Sequence, residues 1–256
     1  MQRIALLPRV YGQYQNRLLG IIQSEIEGML EELDLEKVAL DTDKRGHLLL
    51  SVSGSDEEFV VNLLAQEYGR VPEMYDILPE SIYRGQLVDV GKVGYGLYVD
   101  VGLQEPRIDA LIPLHQLREQ LVMRGKSLRK IAETHVLVDN LPLEIRVTSV
   151  NLDDEQIGAE LAPSFLERFE NWLKDDHERL LVFGANQQMI ESTLQKSGHE
   201  GDIYLIEQLG RFEFSLQCKR GTRATGILAA IGPKMRGVPM HLFIPEEIEE
   251  KRNAKT

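Results

Sequence analysis

Between Gly85 and Gly102 the chain carries two runs in which apolar and polar residues alternate, Gln86-Leu87-Val88-Asp89-Val90 and Leu97-Tyr98-Val99-Asp100-Val101, joined across Gly91, Gly94 and Gly96. A period of two puts successive side chains on opposite faces, so each run has one apolar side that it must bury against other strands. Ala110 to Leu117 supplies a third strand and a turn, and Leu141 to Val150 and Gln156 to Leu161 supply two more. Five short strands with a helical insertion between the third and fourth predict an OB-fold barrel.

The flanks have a different grammar. At the start, Ile4 to Leu7 reads as a strand, and Leu18, Leu19, Ile22, Ile26, Met29, Leu30 and Leu33 form one apolar face of a helix. Lys37 to Leu40 and Leu48 to Val52 are β-prone runs parted by the turn residues Asp41 to Gly46, and Phe59, Val60, Leu63 and Leu64 give a second helical stripe with Ser55 and Glu58 in capping-box spacing. At the far end, Ser164 and Glu167 have the same spacing ahead of a connector helix bearing Phe165, Phe169, Trp172 and Leu173. Beyond it come a strand at Leu180 to Phe183, a helix with Met189, Ile190 and Leu194, strands at Ile203 to Ile206 and Phe212 to Cys218, a helix from Thr222 to Gly232-Pro233, and a strand at Met240 to Ile244. The expected fold class is α+β: a ferredoxin-like β-α-β-β-α domain over 1–80, the five-stranded OB barrel over 81–162, and a connector helix plus a ferredoxin-like β-α-β-β-α-β domain over 163–256. No residue-level repeat links the two ends, so they share an element order without evidence of duplication.

Charge narrows the function classes. The chain has 29 Lys and Arg against 41 Asp and Glu, a formal net charge of -12, so the whole molecule does not attract nucleic acid or anionic membrane at long range. The acidity is mostly N-terminal, with 7 basic and 15 acidic residues up to Glu80, whereas no Asp or Glu stands between Glu213 and Glu246. The single cysteine, Cys218, can form no intrachain disulfide, and Met1-Gln2-Arg3 leads straight into patterned sequence; a reducing, cytoplasmic location is expected. Apolar runs such as Ile227 to Ile231 are far shorter than the roughly 20 residues of a membrane-spanning helix, so no membrane partner is expected.

The residues of the central segment carry a specific resemblance. Gly96-Leu97-Tyr98-Val99-Asp100 followed by Ala110-Leu111-Ile112-Pro113-Leu114-His115-Gln116-Leu117 is similar to the Gly-aromatic-Val strand and following turn of the S-one domain, the OB-fold RNA-binding module named after a ribosomal protein. The likeness runs from about Tyr83 to Leu161, and the whole layout resembles an uncharacterised archaeal family with an S-one-like middle domain. The resemblance implies that Tyr95 and Tyr98 stand where the family stacks bases, with Lys92 just before them. The two tyrosines are three apart, so on one regular strand they face opposite sides unless Gly94 or Gly96 makes a bulge; otherwise Tyr98 plugs the barrel.

Other family positions depart from the pattern. The third-strand His aligns with Pro113, His115 takes the place of a Ser, the fourth-strand Asp aligns with Asn151, and the last strand's basic residue aligns with Glu155 or Gln156. Asp153-Asp154-Glu155 sets negative charge where a phosphate would come, which predicts weak RNA binding or a protein partner. Two basic clusters offer compensation: Arg118, Arg124, Lys126, Arg129 and Lys130 in the insertion, opposed within that stretch only by Glu119, and Lys219, Arg220 and Arg223 with Thr222 at a helix start suited to phosphate. A solvated helix face and an ordinary N-cap are the plain alternatives.

Catalytic and cofactor signals are sparse. His47, His115, His135, His177, His199 and His241 are isolated, and no P-loop, nucleophile elbow or dinucleotide fingerprint occurs, so neither enzymatic activity, a metal nor a cofactor is expected. Phe212 and Phe214 faintly resemble the stacking aromatics of an RNA-recognition motif, but core packing suits them better. Gly232 to Gly237 is loosely like a KH loop and suits a turn. Two functions follow: a non-catalytic RNA-associated factor, or an acidic interaction scaffold docking on basic ribosomal or transcription proteins.

Overall fold

The computed structural model describes residues 1–151 and 153–254. The N-terminal part runs β1 (Gln2–Arg9), α1 (Gln15–Leu30), β2 (Leu35–Thr42), β3 (His47–Gly54) and α2 (Glu57–Tyr68), with an antiparallel sheet in the order β1-β3-β2. Leu18, Ile22, Ile26 and Leu30 of α1 and Val60 and Leu64 of α2 are buried with Ile4, Leu6, Leu48 and Leu50 of the sheet. The 3.6-residue apolar period of the helices and the two-residue period of the strands thus meet in one layer.

The middle part is a closed barrel, built from β4 (Ile82–Val88), β5 (Gly96–Asp100), β6 (Ala110–Pro113), β7 (Pro142–Asn151) and β8 (Gln156–Leu161) in the order β4-β5-β6-β8-β7. β6 and β8 pair in parallel and the other neighbours are antiparallel, an OB-like barrel. Leu87, Leu97, Val99, Ile112, Ile145 and Val147 alternate into its core. Between β6 and β7 lie α3 (Leu114–Gln120) and α4 (Leu128–His135). The turn expected through Leu117 is therefore helical: Pro113 ends the strand in extended geometry, and Leu117 of α3 is buried in the barrel core.

The last part contains α5 (Pro163–Lys174), β9 (Arg179–Phe183), α6 (Gln187–Ser197), β10 (Ile203–Gln208), β11 (Glu213–Cys218), α7 (Ala224–Ile231), β12 (Met240–Phe243) and α8 (Pro245–Asn253). Its antiparallel sheet has the order β10-β11-β9-β12. Neither expected capping box forms. Asp56, not Ser55, precedes α2, and its carboxylate accepts from Asp34 N at 2.8 Å; Ala162 precedes α5, where Pro163 presets the backbone angle of the first turn.

The three parts share their seams. Phe165, Phe169 and Trp172 of α5 pack with Phe243 and Ile248 in the same cluster as the barrel core. Phe214 and Leu216 face α6 and α7 in the C-terminal core, whereas Phe212 leaves them and packs with Met189 into the N-terminal core. All of Phe212, Phe214 and Leu216 are buried, so none offers a stacking surface. Among the described residues, no helix is long and apolar enough to cross a membrane.

Candidate nucleic-acid interface

On β5 the buried Leu97 and Val99 point into the barrel, which leaves Tyr98 and Asp100 on its outer face. Tyr98 is opposite Val88 of β4, and Asp100 is opposite Gln86. Tyr95 comes just before the strand begins. The pairing of β5 with β6 runs from Gly96↔Pro113 to Val99↔Ala110 without a shift, so no bulge is needed: strand alternation does not reach Tyr95. The two rings meet edge to face with centroids 6.3 Å apart and their hydroxyls 2.7 Å apart. Tyr95 is 57% exposed and Tyr98 half-buried; neither plugs the barrel. The bond to Tyr95, with burial, raises the Tyr98 phenol above its ordinary range, and the Asp109 charge adds to the same effect.

Gly96 makes this approach possible. A Cβ there would stand 2.5 Å from the backbone oxygen of Ile112, closer than any side chain tolerates, so only glycine lets β5 and β6 close beneath the tyrosines. Leu114 N donates to Tyr95 O at 2.8 Å. This brings the first turn of α3, with the exposed His115, to the same end of the barrel. Lys92 is exposed there too, and its ammonium is 2.6 Å from Asp89 Oδ1.

One step along the same outer face, Asp100 is only 3% exposed, because the N-terminal domain sits on it. Its Oδ2 is 3.1 Å from His47 Nε2, 3.1 Å from Arg45 Nη1 and 3.7 Å from Arg9 Nη1, and its Oδ1 accepts from Gly102 N at 2.8 Å. Burial opposes the charge, but the His47 hydrogen bond and the two guanidinium charges outweigh it and hold the carboxyl well below the usual carboxylate range. Arg45 also forks onto Asp109, and Arg107 Nη2 reaches Asp43 Oδ2 at 3.0 Å. The β2–β3 turn thus covers the Asp100 end of β5 and leaves the tyrosine end open. Nothing in the sequence marks this contact, since Arg9, Arg45 and His47 look like ordinary surface residues of a separate domain.

The expected basic clusters are not joined to the tyrosines by any hydrogen bond or ion pair among the described residues. Arg118 Nε donates to Lys126 O at 2.8 Å, Lys126 Nζ to Ala254 O at 3.0 Å, and Arg129 Nε to Glu133 at 2.7 Å; Arg124 is exposed and Lys130 half-buried. At α7 the anion place is filled from within. Glu178 accepts from Ala224 N at 2.7 Å through one oxygen and from Arg223 Nε at 2.7 Å through the other, while Lys219 and Arg220 remain exposed. A carboxylate already neutralises that helix start, which removes the reason to expect a phosphate there. Asp153 and Asp154 donate their backbone N–H groups to Asn151 Oδ1 at 3.1 and 3.2 Å in a turn, and no group of described residues has the makings of a metal site.

Comparison with known proteins adds the family. Among solved structures, the chain is similar to an uncharacterized protein from Methanocaldococcus jannaschii at 18% identity, covering 34% of this chain and 96% of that one, with a TM-score of 0.24. A protein from Thermus thermophilus is similar at 14% identity over 98% of this chain and 42% of that one, with a TM-score of 0.16. No curated protein matches. Family models match three consecutive segments, the DUF2110 N-terminal domain over 3–74, the DUF2110 central domain over 78–173 and the DUF2110 C-terminal domain over 177–242. With nearly its whole length matched in order, the chain belongs to the DUF2110 family.

Proposed function

We propose that this protein is a non-catalytic RNA-associated factor whose barrel is S-one-like and contacts unpaired nucleotides at its Tyr95/Tyr98 edge. The observation that carries this reading is the exposed Tyr95 ring held against Tyr98 on the outer face of β5, beside Lys92 and His115. Stacking supplies about 1–3 kcal/mol per base, and the N-terminal domain buries Asp100 next to this edge on the same outer face. Binding is therefore weak and local, in keeping with a net charge of -12. The order β10-β11-β9-β12 supports the ferredoxin-like description of the C-terminal domain, and β1-β3-β2 is the same plan lacking its fourth strand.

Fluorescence anisotropy of labelled oligouridine, titrated at several salt concentrations, tests the reading. Wild type is expected to bind with a shallow negative log-log salt slope, and Tyr95→Ala with Tyr98→Ala to lose at least about tenfold in affinity. Absence of binding at low salt would leave the acidic scaffold for basic ribosomal or transcription proteins as the better account.

A further inference from the structure

A crevice of about 390 Å³ opens where the three domains meet. Its floor takes Arg9 and His47 from the N-terminal domain, Gln86 and Asp100 from the barrel and Glu213 from the C-terminal domain, all buried. Five buried polar side chains from three domains are an expensive way to fill a seam, because each must be paired or remain desolvated without compensation. Three of them have capacity to spare, His47 among them, since its Nδ1 is buried with no partner among the described residues. Arg9 gives Nε to Arg45 O at 3.1 Å and Nη1 to Gln86 Oε1 at 3.2 Å, but its Nη2 has no acceptor among the described residues. Glu213 accepts from Tyr11 Oη at 2.6 Å and only distantly, at 3.3 Å, from Phe212 N. The Gln86 side chain accepts from Arg9 through Oε1 and helps to hold the Glu213 charge.

Asp100, by contrast, is fully engaged by His47, Arg45, Arg9 and Gly102 N. The mouth adds Arg84, Arg211, Glu67 and Tyr68, and there Arg84 is paired with Glu144 and Arg211 with Glu25. A ligand carrying both signs can meet Arg9 and Glu213 together without adding net charge to this desolvated site, whereas a lone anion or cation adds one. The volume lies near the low end of small-molecule pockets and suits a compact polar ligand.

We propose that this crevice binds a small zwitterion of the α-amino-acid class, its carboxylate taken by Arg9 Nη2 and its ammonium by Glu213. The site is independent of the tyrosine edge. Burial raises the Glu213 carboxyl to about 7, against the pull of the Tyr11 and Phe212 hydrogen bonds, the Arg9 charge and the Gln86 contact. An ammonium beside it favours the carboxylate, so binding near neutrality releases a proton.

Isothermal titration of the full chain with glycine, L-alanine and L-glutamine, with propionate and propylamine as single-headed controls, tests this at pH 7 in two buffers of different ionisation enthalpy. The amino acids are expected to bind at least about tenfold more tightly than either control, with a buffer-dependent heat reporting proton release. Glu213→Gln keeps the side-chain volume and should lose about tenfold in affinity together with the proton release, with folding followed by its melting curve. Tyr95→Ala should leave amino-acid binding unchanged, so this site and the RNA edge fail separately. Because the proposal rests on the head group shared by all three amino acids, absence of saturable binding by any of them at about 10 mM overturns it. So does equal binding of propionate, or unchanged affinity in Glu213→Gln.

Discussion

Tyr11 and Glu213, 202 positions apart in the chain, meet at 2.6 Å, the phenol hydroxyl donating to Oε1 of the carboxyl. The contact fastens the N-terminal domain to the C-terminal one. Burial, and then the Glu213 charge, raise the phenol well above its ordinary range, so Tyr11 is a donor at neutral pH.

Tyr11→Phe keeps the ring and removes only this donor. Leaving a buried carboxyl short of its hydrogen bond costs about 1–3 kcal/mol. Urea denaturation should show a lower midpoint at an unchanged slope. A loss below about half a kcal/mol would mean that the pair adds nothing to the seam.

The pH dependence of stability has two opposed arms in the weakly acid range. The folded protein keeps a proton on Glu213 from its ordinary 4.5 up to about 7, so that arm is favourable at low pH and is lost as pH rises through 7. His135 runs the other way. Burial first, then the Arg252 charge, bring it down to about 4, so its arm is present above the ordinary 6.5 and is lost as pH falls through 4. Each amounts to about 3 kcal/mol, and they offset one another between 4.5 and 6.5. Glu213→Gln should unmask the histidine arm, its stability rising with pH across that interval while wild type stays nearly level. Urea midpoints that run parallel for the two proteins would contradict this.

Asp100→Ala strips the common partner from Arg9, Arg45 and His47. Breaking a buried pair while leaving its cations in place costs about 3–5 kcal/mol. Hydrogen exchange should quicken in β1 and β3 more than in β7 and β8, because the N-terminal domain loses its seat on the barrel. Since the carboxyl is held below its ordinary 3.8, the contribution is present above that value and is lost as pH falls below it. Uniform loss of protection throughout the chain would argue against a local seat.

Gly96→Ala puts a methyl 2.5 Å from Ile112 O, and relief requires β5 and β6 to part. The expected cost is about 2 kcal/mol or more, accompanied by weaker RNA binding because Tyr95 no longer stands against Tyr98. Retained stability with full binding would show that the strands can shift without moving the rings.

The sequence carried the barrel almost unaided. Leu87, Leu97, Val99, Ile112, Ile145 and Ile157 stand at period-two positions between glycines, and a strand with one apolar face must close on others to bury it. The Leu18 to Leu30 stripe likewise required a helix against a sheet. The tyrosine pair was legible as residues but not as geometry, since a three-residue spacing is ambiguous until the first residue of β5 is known.

What required the tertiary structure was every relation between charges on different domains. Arg9, Arg45, His47, Asp100 and Glu213 are individually unremarkable in a chain with 27% charged residues. Folding brings them under one another, and the Glu178 carboxylate into the helix start that looked open to phosphate. Periodicity is a local property, written along the chain and read from it. Desolvation and Coulomb energy depend on distances through space, which the order of residues does not contain.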